Sequence, residues 1–415
     1  MSSGTALDDP QIVAPLLLFV IVVAGLFLRG MSPEERVDSF KKAIVWMKRA
    51  IAWIQYVPPD CQPFQDALRA RTPRTIVMPV VVGANLLIFV FMLLGAGSFS
   101  DRNTLLAWGG SFGPLTTNGE WWRLLSSAFV HAGFLHVAAT IAGVLRVGLI
   151  LERLVGPTSF ATTYVAAAIL GSLASLAGHP VAIHASASSA VFGVYGLLIA
   201  TFVWSTIRRS ELTIPPAALR YIAPGAAAFL LYTFVTEGVI TPAMVSGLAV
   251  GLVCGFVLGG RIGENKPPVR RVLATMSATA GIVVLLAVPL RGVADVTSEI
   301  RYVVGVEDRT ARDYNADVER FKKGRLKSEA LIARIDTIAP ELRVASTRLN
   351  SLGNVPPEHQ WLVDKAKQYV QLRQESWGLR ADALRSSDVK ALQKADGLEH
   401  SAIAILEKIR PAERD

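Results

Sequence analysis

The residues best suited to chemistry in this 415-residue chain lie in Ala185–Gly196, where Ser186, Ser188 and Ser189 stand among small residues. They open a hydrophobic segment that runs to about Trp204. A serine hydroxyl there can serve as a nucleophile once a base takes its proton. The same composition also suits plain packing, because small residues let helices in lipid approach closely. A second stretch, Met244–Gly255, carries glycines at 247, 251 and 255, with a further one at 259. That spacing puts one glycine per helical turn on one face and admits another helix at very short range. A serine helix packed on a glycine-striped helix is the expected centre of the molecule.

The elements that must position this pair are membrane helices. A hydrophobic content of 52% is too high for an ordinary soluble protein and reads as a polytopic membrane protein. Apolar runs long enough to span are expected at residues 12–28, 76–97, 127–150, 158–178, 187–206, 221–237, 242–260 and 272–290. The N-terminus MSSGTALDDP lacks the basic region of a signal peptide, so the first run is expected to stay as an anchor. Between the first two runs, Val37 to Tyr56 has helical apolar spacing with Trp46 and Trp53 and several basic residues. It reads as a surface-lying amphipathic helix or a linker helix. Basic loops at 29–74, 207–220 and 261–271, and the turn with Glu152 and Arg153, alternate with loops nearly free of Lys and Arg. The positive-inside rule then puts both termini, the 98–123 loop and the turn before Ser188 outside. The expected location is a bacterial inner (plasma) membrane. Arg146 and Glu237 read as interfacial charges within their spans, not as an ion pathway.

After Arg291 the composition changes. Residues 295–415 carry about twenty charges of each sign, with helical apolar spacing in Tyr314–Leu352 and Trp361–Leu384. Three or four helices in a bundle are expected, with Pro340, Pro356 and Pro357 punctuating them. The net charge of +9 forms no groove-like cluster, so nucleic acid is not an expected partner. Cys61, expected in a loop, and Cys254, within a helix, have no metal spacing and suit no disulfide. No cofactor or metal is implied. The domain reading is an anchor at 1–30, a cytoplasmic basic amphipathic linker at 31–75, a six-helix core at 76–261, an added transmembrane helix at 262–291 and an extracytoplasmic helical domain at 292–415.

Taken in order, the motifs within about residues 77–261 resemble those of the rhomboid family of intramembrane serine proteases. Trp122-Arg123, His131 and His136 spaced as His-x4-His, and Gly148-x3-Glu152-x3-Gly156 with Phe160 and Tyr164 each resemble a family motif. Ser188-Ser189-Ala190-Val191-Phe192-Gly193 is similar to the family's nucleophile signature, and the stripe from Gly247 to its last core helix. The resemblance implies an all-α polytopic fold: a six-helix core, one extra transmembrane helix on each side and a C-terminal helical soluble domain. It also implies cleavage of a peptide bond of a membrane helix by a Ser-His dyad, with Ser188 at the nucleophile position.

The chain departs from that pattern where the chemistry needs it most. The base should lie three residues before Gly247, and that residue is Met244, a thioether without a proton to exchange. The oxyanion-hole asparagine should follow His136 by four residues and falls on Thr140, while Ser186 replaces a motif glycine. Loss of a base typically removes orders of magnitude in rate. The expectation is therefore a catalytically impaired rhomboid that binds transmembrane helices of other proteins in the lipid bilayer. In it, Trp122, Arg123, Gly193, Gly247 and Gly251 serve packing or client contact, His136 and Thr140 are oxyanion-like residues, and the C-terminal domain meets a protein partner. The alternatives are an active serine endopeptidase with a substitute base such as His184, His131 or His136, and a C-terminal bundle that carries the function on a membrane anchor.

Overall fold

The computed structural model describes residues 56–95, 101–207, 214–237, 241–259 and 269–410, with positions 41, 42, 45 and 49. The expected anchor at 12–28, most of the amphipathic stretch, Arg208, Arg209, Arg261 and Lys266 lie outside the described residues, as does the side chain of Glu237. The chain divides into two units, residues 1–290 and 291–415.

In the first unit a short helix α1 (Gln62–Arg71) precedes α2 (Val77–Gly95). The next segment folds into α3 (Arg102–Ala107), α4 (Gly113–Thr116) and α5 (Arg123–Ser126). Then come α6 (Phe134–Val155), α7 (Pro157–Gly178), α8 (Ala187–Ile207), α9 (Pro216–Glu237), α10 (Pro242–Leu258) and α11 (Val269–Ala287). Six of these, α2, α6, α7, α8, α9 and α11, are long and apolar enough to cross a membrane, and α10 is an apolar helix of 17 residues. At about 1.5 Å per residue α10 is only slightly shorter than a ~30 Å hydrocarbon core. The chain is an all-α polytopic membrane protein. Among the described residues there is no named strand, only an isolated backbone bridge between Ser111 and His184.

The third span differs from its expected bounds of 127–150. Ser127–Phe129 form a 3-10 turn, and α6 begins only after Gly133, so the helix runs from 134 to 155. It ends at Gly156, whose φ of 86° lies in a region that glycine adopts without strain, and Pro157 starts α7 at once. Helix α9 starts at Pro216, before the expected 221, and α11 at Val269, before 272, because turns too polar to register as apolar also wind into the helices.

Segments expected on the same side of the membrane meet. At one end the buried Glu152 carboxylate accepts the backbone N–H groups of Ile76 (2.6 Å), Val77 (2.9 Å) and Met78 (2.8 Å). These are the amides that a helix start leaves without internal partners, and the helix dipole favours an anion there. Thr72 Oγ1 donates to the Arg153 carbonyl at 3.1 Å, and Arg220 pairs with Asp60 at 3.1 Å. Cys61, expected in a loop, is fully buried in a 3-10 turn, and burial raises its thiol pKa. Arg146 is also corrected. It is buried between α6 and α9, donating to the Tyr221 carbonyl at 2.9 Å and lying 4.3 Å from that ring, so it holds two helices together rather than reaching the lipid interface.

At the other end Arg123 gathers the 101–123 segment. Its guanidinium donates to Glu120 (2.6 Å) and to the carbonyls of Leu106 (2.6 Å) and Gly110 (3.1 Å), collecting oxygens at the C-terminal side of α3. The Gly113 amide donates to the Pro180 carbonyl at 2.9 Å, and Ser111 and His184 exchange both backbone hydrogen bonds. The segment before α8 is thus pinned to the long loop.

The second unit consists of α12 (Val296–Lys322), α13 (Ser328–Asn350), α14 (Pro357–Ser386) and α15 (Val389–Ile409). Asp295 and Asp388 cap α12 and α15 through side-chain bonds to backbone amides. Pro340, expected to interrupt the run, sits inside α13. Buried Ile335, Ile338, Leu342 and Leu349 hold that helix against its neighbours despite the missing backbone bond.

An ion network lies inside this unit. The fully buried Arg373 donates to Glu307 (2.8 and 3.1 Å) and Glu399 (2.6 Å), Tyr369 donates to Glu307 at 2.6 Å, and Arg380 also reaches Glu399 at 2.7 Å. Burial disfavours the charged guanidinium, but the two carboxylates outweigh it and raise the Arg373 pKa above its ordinary value. Arg373→Ala leaves the buried Glu307 and the partly buried Glu399 short of a partner and is expected to destabilise this unit by about 3–5 kcal/mol. Hydrogen exchange of α12 and α14 measures that loss. Arg309→Ala, at an exposed pair with Glu341, should change it by less than about 0.5 kcal/mol.

Candidate functional site

Ser188 lies in the first turn of α8, and two small-residue surfaces fix that turn. A Cβ added at Gly171 of α7 would run into the Ser189 side chain, and one added at Gly247 of α10 would run into the Ser189 backbone carbonyl. The contact continues along the stripe. Gly251 faces the Gly193 carbonyl, Gly255 faces Ala200, and Gly196 of α8 faces the backbone of Leu248, Gly251 and Leu252. Helices α8 and α10 therefore meet backbone to backbone. Ahead of α8, Ser186 N–H donates to the Ser127 carbonyl (2.8 Å), and Ser189 Oγ donates to the Ser186 carbonyl (2.7 Å).

A cavity of about 390 Å³ opens at this end of the bundle. Its lining includes Ser186 and Ser188 from the start of α8, His136 of α6, His179 and His184 from the segment before α8, and Tyr232 of α9. Pro242 and Ala243 of α10 also line it; Met244 does not. Met244 is 5% exposed, and its amide donates to the capping Thr241 Oγ1 at 3.4 Å. The position where the resemblance calls for a base therefore holds a buried thioether in the first turn of α10.

The histidines that line the cavity have other engagements. His136 Nδ1 accepts the Ala132 N–H at 3.3 Å, so the neutral ring carries its proton on Nε2 and offers a donor, not a lone pair. Its ring stacks on Tyr232 at 5.6 Å and meets His131 edge-on at 4.9 Å. His184 Nε2 faces the His179 carbonyl at 3.0 Å and so must be its protonated nitrogen, and burial lowers its pKa. His131, fully buried, binds Asn85 Oδ1 through Nε2 at 2.7 Å; Asn85 Nδ2 donates to the Val81 carbonyl, which fixes the amide orientation. Among the described residues no hydrogen bond joins Ser188 to a histidine. Thr140 is 1% exposed with an unpartnered Oγ1 and is not among the residues lining the cavity.

Trp122 is 55% exposed, and the Arg123 guanidinium lies 4.7 Å from its ring. Arg123 itself is buried in the loop. Three contributors were not singled out from sequence: Glu152's three amide partners, Tyr232 under His136, and Thr236 on the cavity wall. A signal for the last two exists in the sequence, since Tyr232 and Thr236 stand one turn apart on a largely apolar helix.

Residues 118–261 match the rhomboid domain family. The chain is 36% identical over 118 residues to the rhomboid protease GluP of Bacillus subtilis, covering 28% of this chain and 23% of that protein. With Rhomboid-like protease 1 of Toxoplasma gondii it shares 32% over 192 residues, covering 45% and 62%. With Inactive RHOMBOID-like protein 8 of Arabidopsis thaliana it shares 32% over 100 residues, covering 24% and 28%. The matched region is less than two thirds of the length of each of these relatives. No solved structure matches the chain at a significant level.

A methyl group at Gly251 cannot be placed without parting α8 from α10. Gly251→Ala is expected to destabilise the first unit by about 1–3 kcal/mol, read as a lower thermal midpoint in detergent. Gly281→Ala, whose Cβ would meet open space in α11, should leave the midpoint unchanged.

Proposed function

We propose that this chain, whose residues 118–261 match the rhomboid domain family, is a catalytically impaired rhomboid that binds transmembrane helices of other membrane proteins. One feature of the sequence supports this reading: by resemblance the base is expected at position 244, and that residue is Met244. Without a proton acceptor the Ser188 hydroxyl stays protonated, and a protonated hydroxyl is a poor nucleophile. His136, whose free lone pair is already used by Ala132, does not replace it. Thr140, with a shorter side chain than asparagine, leaves the oxyanion site without its usual donor. A relative named as inactive stands among the similar proteins, which supports a silent member of the family.

In this reading the protein sits in a bacterial inner membrane with both termini outside. Trp122 and the loop that Arg123 organises face the client helix at the membrane surface. The helical unit after Arg291 contacts a protein partner outside.

A second reading is an active intramembrane serine endopeptidase. It is favoured by the shared cavity of Ser188, His136 and His184, and by relatives named as proteases. His184 Nδ1 is the nitrogen that would serve as the base, with the ring turning toward Ser188.

Fluorophosphonate labelling of purified protein separates the two. The impaired reading expects no labelling of the wild type or of Ser188→Ala, and labelling of Met244→His if the rest of the site is intact. Wild-type labelling that disappears in Ser188→Ala would instead establish an activated nucleophile. A gain of about 10²-fold or more in Met244→His would match the usual contribution of a positioned base.

A further inference from the structure

We propose that the cavity at the start of α8 is a binding site for a stable anion, a carboxylate or a phosphate, and that its occupant is the free C-terminal carboxylate of a peptide chain. The inference rests on reading this cavity as one that binds without hydrolysing.

Three observations converge on it. Helix α8, 21 residues long, starts at Ala187 and turns its N-terminus toward the cavity that Ser186 and Ser188 line. The first amides of a helix find no acceptor within it; here the Ser189 N–H already donates to the Ser186 carbonyl at 3.2 Å, which leaves those of Ala187 and Ser188, and the dipole adds partial positive charge there. Ser186 is 3% exposed, and its Oγ has no hydrogen-bond partner, although a serine just before a helix ordinarily caps it. An orphaned buried hydroxyl beside a helix start marks a place where an acceptor is missing. Finally, the polar side chains around the cavity supply donors. The Ser188 hydroxyl has no hydrogen-bond partner among the described residues, so its O–H is free to donate, and His136 presents Nε2–H because Nδ1 is already engaged. Among the described residues that line the cavity there is no Asp or Glu.

A cavity of about 390 Å³ with hydroxyl and imidazole donors at a helix start, and no carboxylate among its described lining residues, is complementary to an oxyanion. Its apolar walls, Ile183, Pro242 and Ala243, leave room for small side chains behind that anion and favour a peptide terminus over a bare ion. Nothing in the arrangement needs to remove the Ser188 proton. The hydroxyl that would attack a carbonyl in an active enzyme here donates to an oxygen that stays where it is.

The test uses the purified full chain in detergent and three probes: acetyl-trialanine as the free acid, the same peptide as its carboxamide, and inorganic phosphate. Binding is read by calorimetry. The expected result is saturable binding of the acid, at least about tenfold weaker binding of the carboxamide, and a loss of about tenfold in Ser186→Ala, as befits a hydrogen bond to a charged group. Ser188→Ala, with an unchanged thermal midpoint, should show a loss of similar size and keeps the test decisive if Ser186→Ala folds poorly. Binding of phosphate without the peptide acid would keep the anion site and overturn the peptide terminus in favour of a lipid headgroup. Equal affinity for acid and carboxamide, no binding of either anion, or full affinity in both serine variants would overturn the proposal. Wild-type fluorophosphonate labelling would defeat the underlying silent reading, whereas failure of acid selectivity without labelling defeats the anion site alone.

Discussion

The first unit depends on one close approach. Along the line from Gly247 and Ser189 to Gly251 and Gly193, helices α8 and α10 touch through main-chain atoms, with no side chain between them. In lipid there is no hydrophobic drive to bring two apolar helices together, so contact of this quality, and the dispersion it yields, has to do that work. The residues at the top of the two helices inherit its rigidity. Ser188 and Met244 sit where they do because a single methyl on either surface would push them apart.

That rigidity separates geometry from reactivity. The start of α8 is held by Gly171 on one side and Gly247 on the other, and the segment before it is bonded to the long loop through Ser111, Gly113 and Ser127. A hydroxyl at a helix start, in a cavity walled by imidazoles, is thus held in place although no hydrogen bond joins it to a described histidine. A scaffold this specific is needed for holding a ligand as much as for breaking one.

The sequence disclosed this centre because its signals are local and periodic. Glycines one turn apart, a run of small residues with serines, and apolar stretches of spanning length each act through the helix they lie on. What it disclosed poorly depends on partners far along the chain. The start of α6 is set by a 3-10 turn and Gly133, which hydropathy does not register, so the third span was placed seven residues early. Arg146 read as an interfacial charge because its acceptor, the Tyr221 carbonyl, lies 75 residues away. Pro340 read as a break because propensity ignores the packing that carries α13 through it. The cavity wall was half visible, with Ser188 and His136 foreseen and Tyr232 and Thr236 not, since two polar residues one turn apart on α9 do not reveal which imidazole they will face.

Glu152 bears on how the chain is made. Its carboxylate caps a helix whose first residue, Ile76 included, precedes it by as many as 76 positions. A chain that emerges N-terminus first therefore inserts α2 before the group that completes its amide end exists. Until α6 has crossed and its far end has reached the same surface, those three amides are satisfied by water at the membrane boundary. The arrival of one carboxylate then exchanges that water for protein and locks the first core helix, so the order of synthesis is built into the order of assembly.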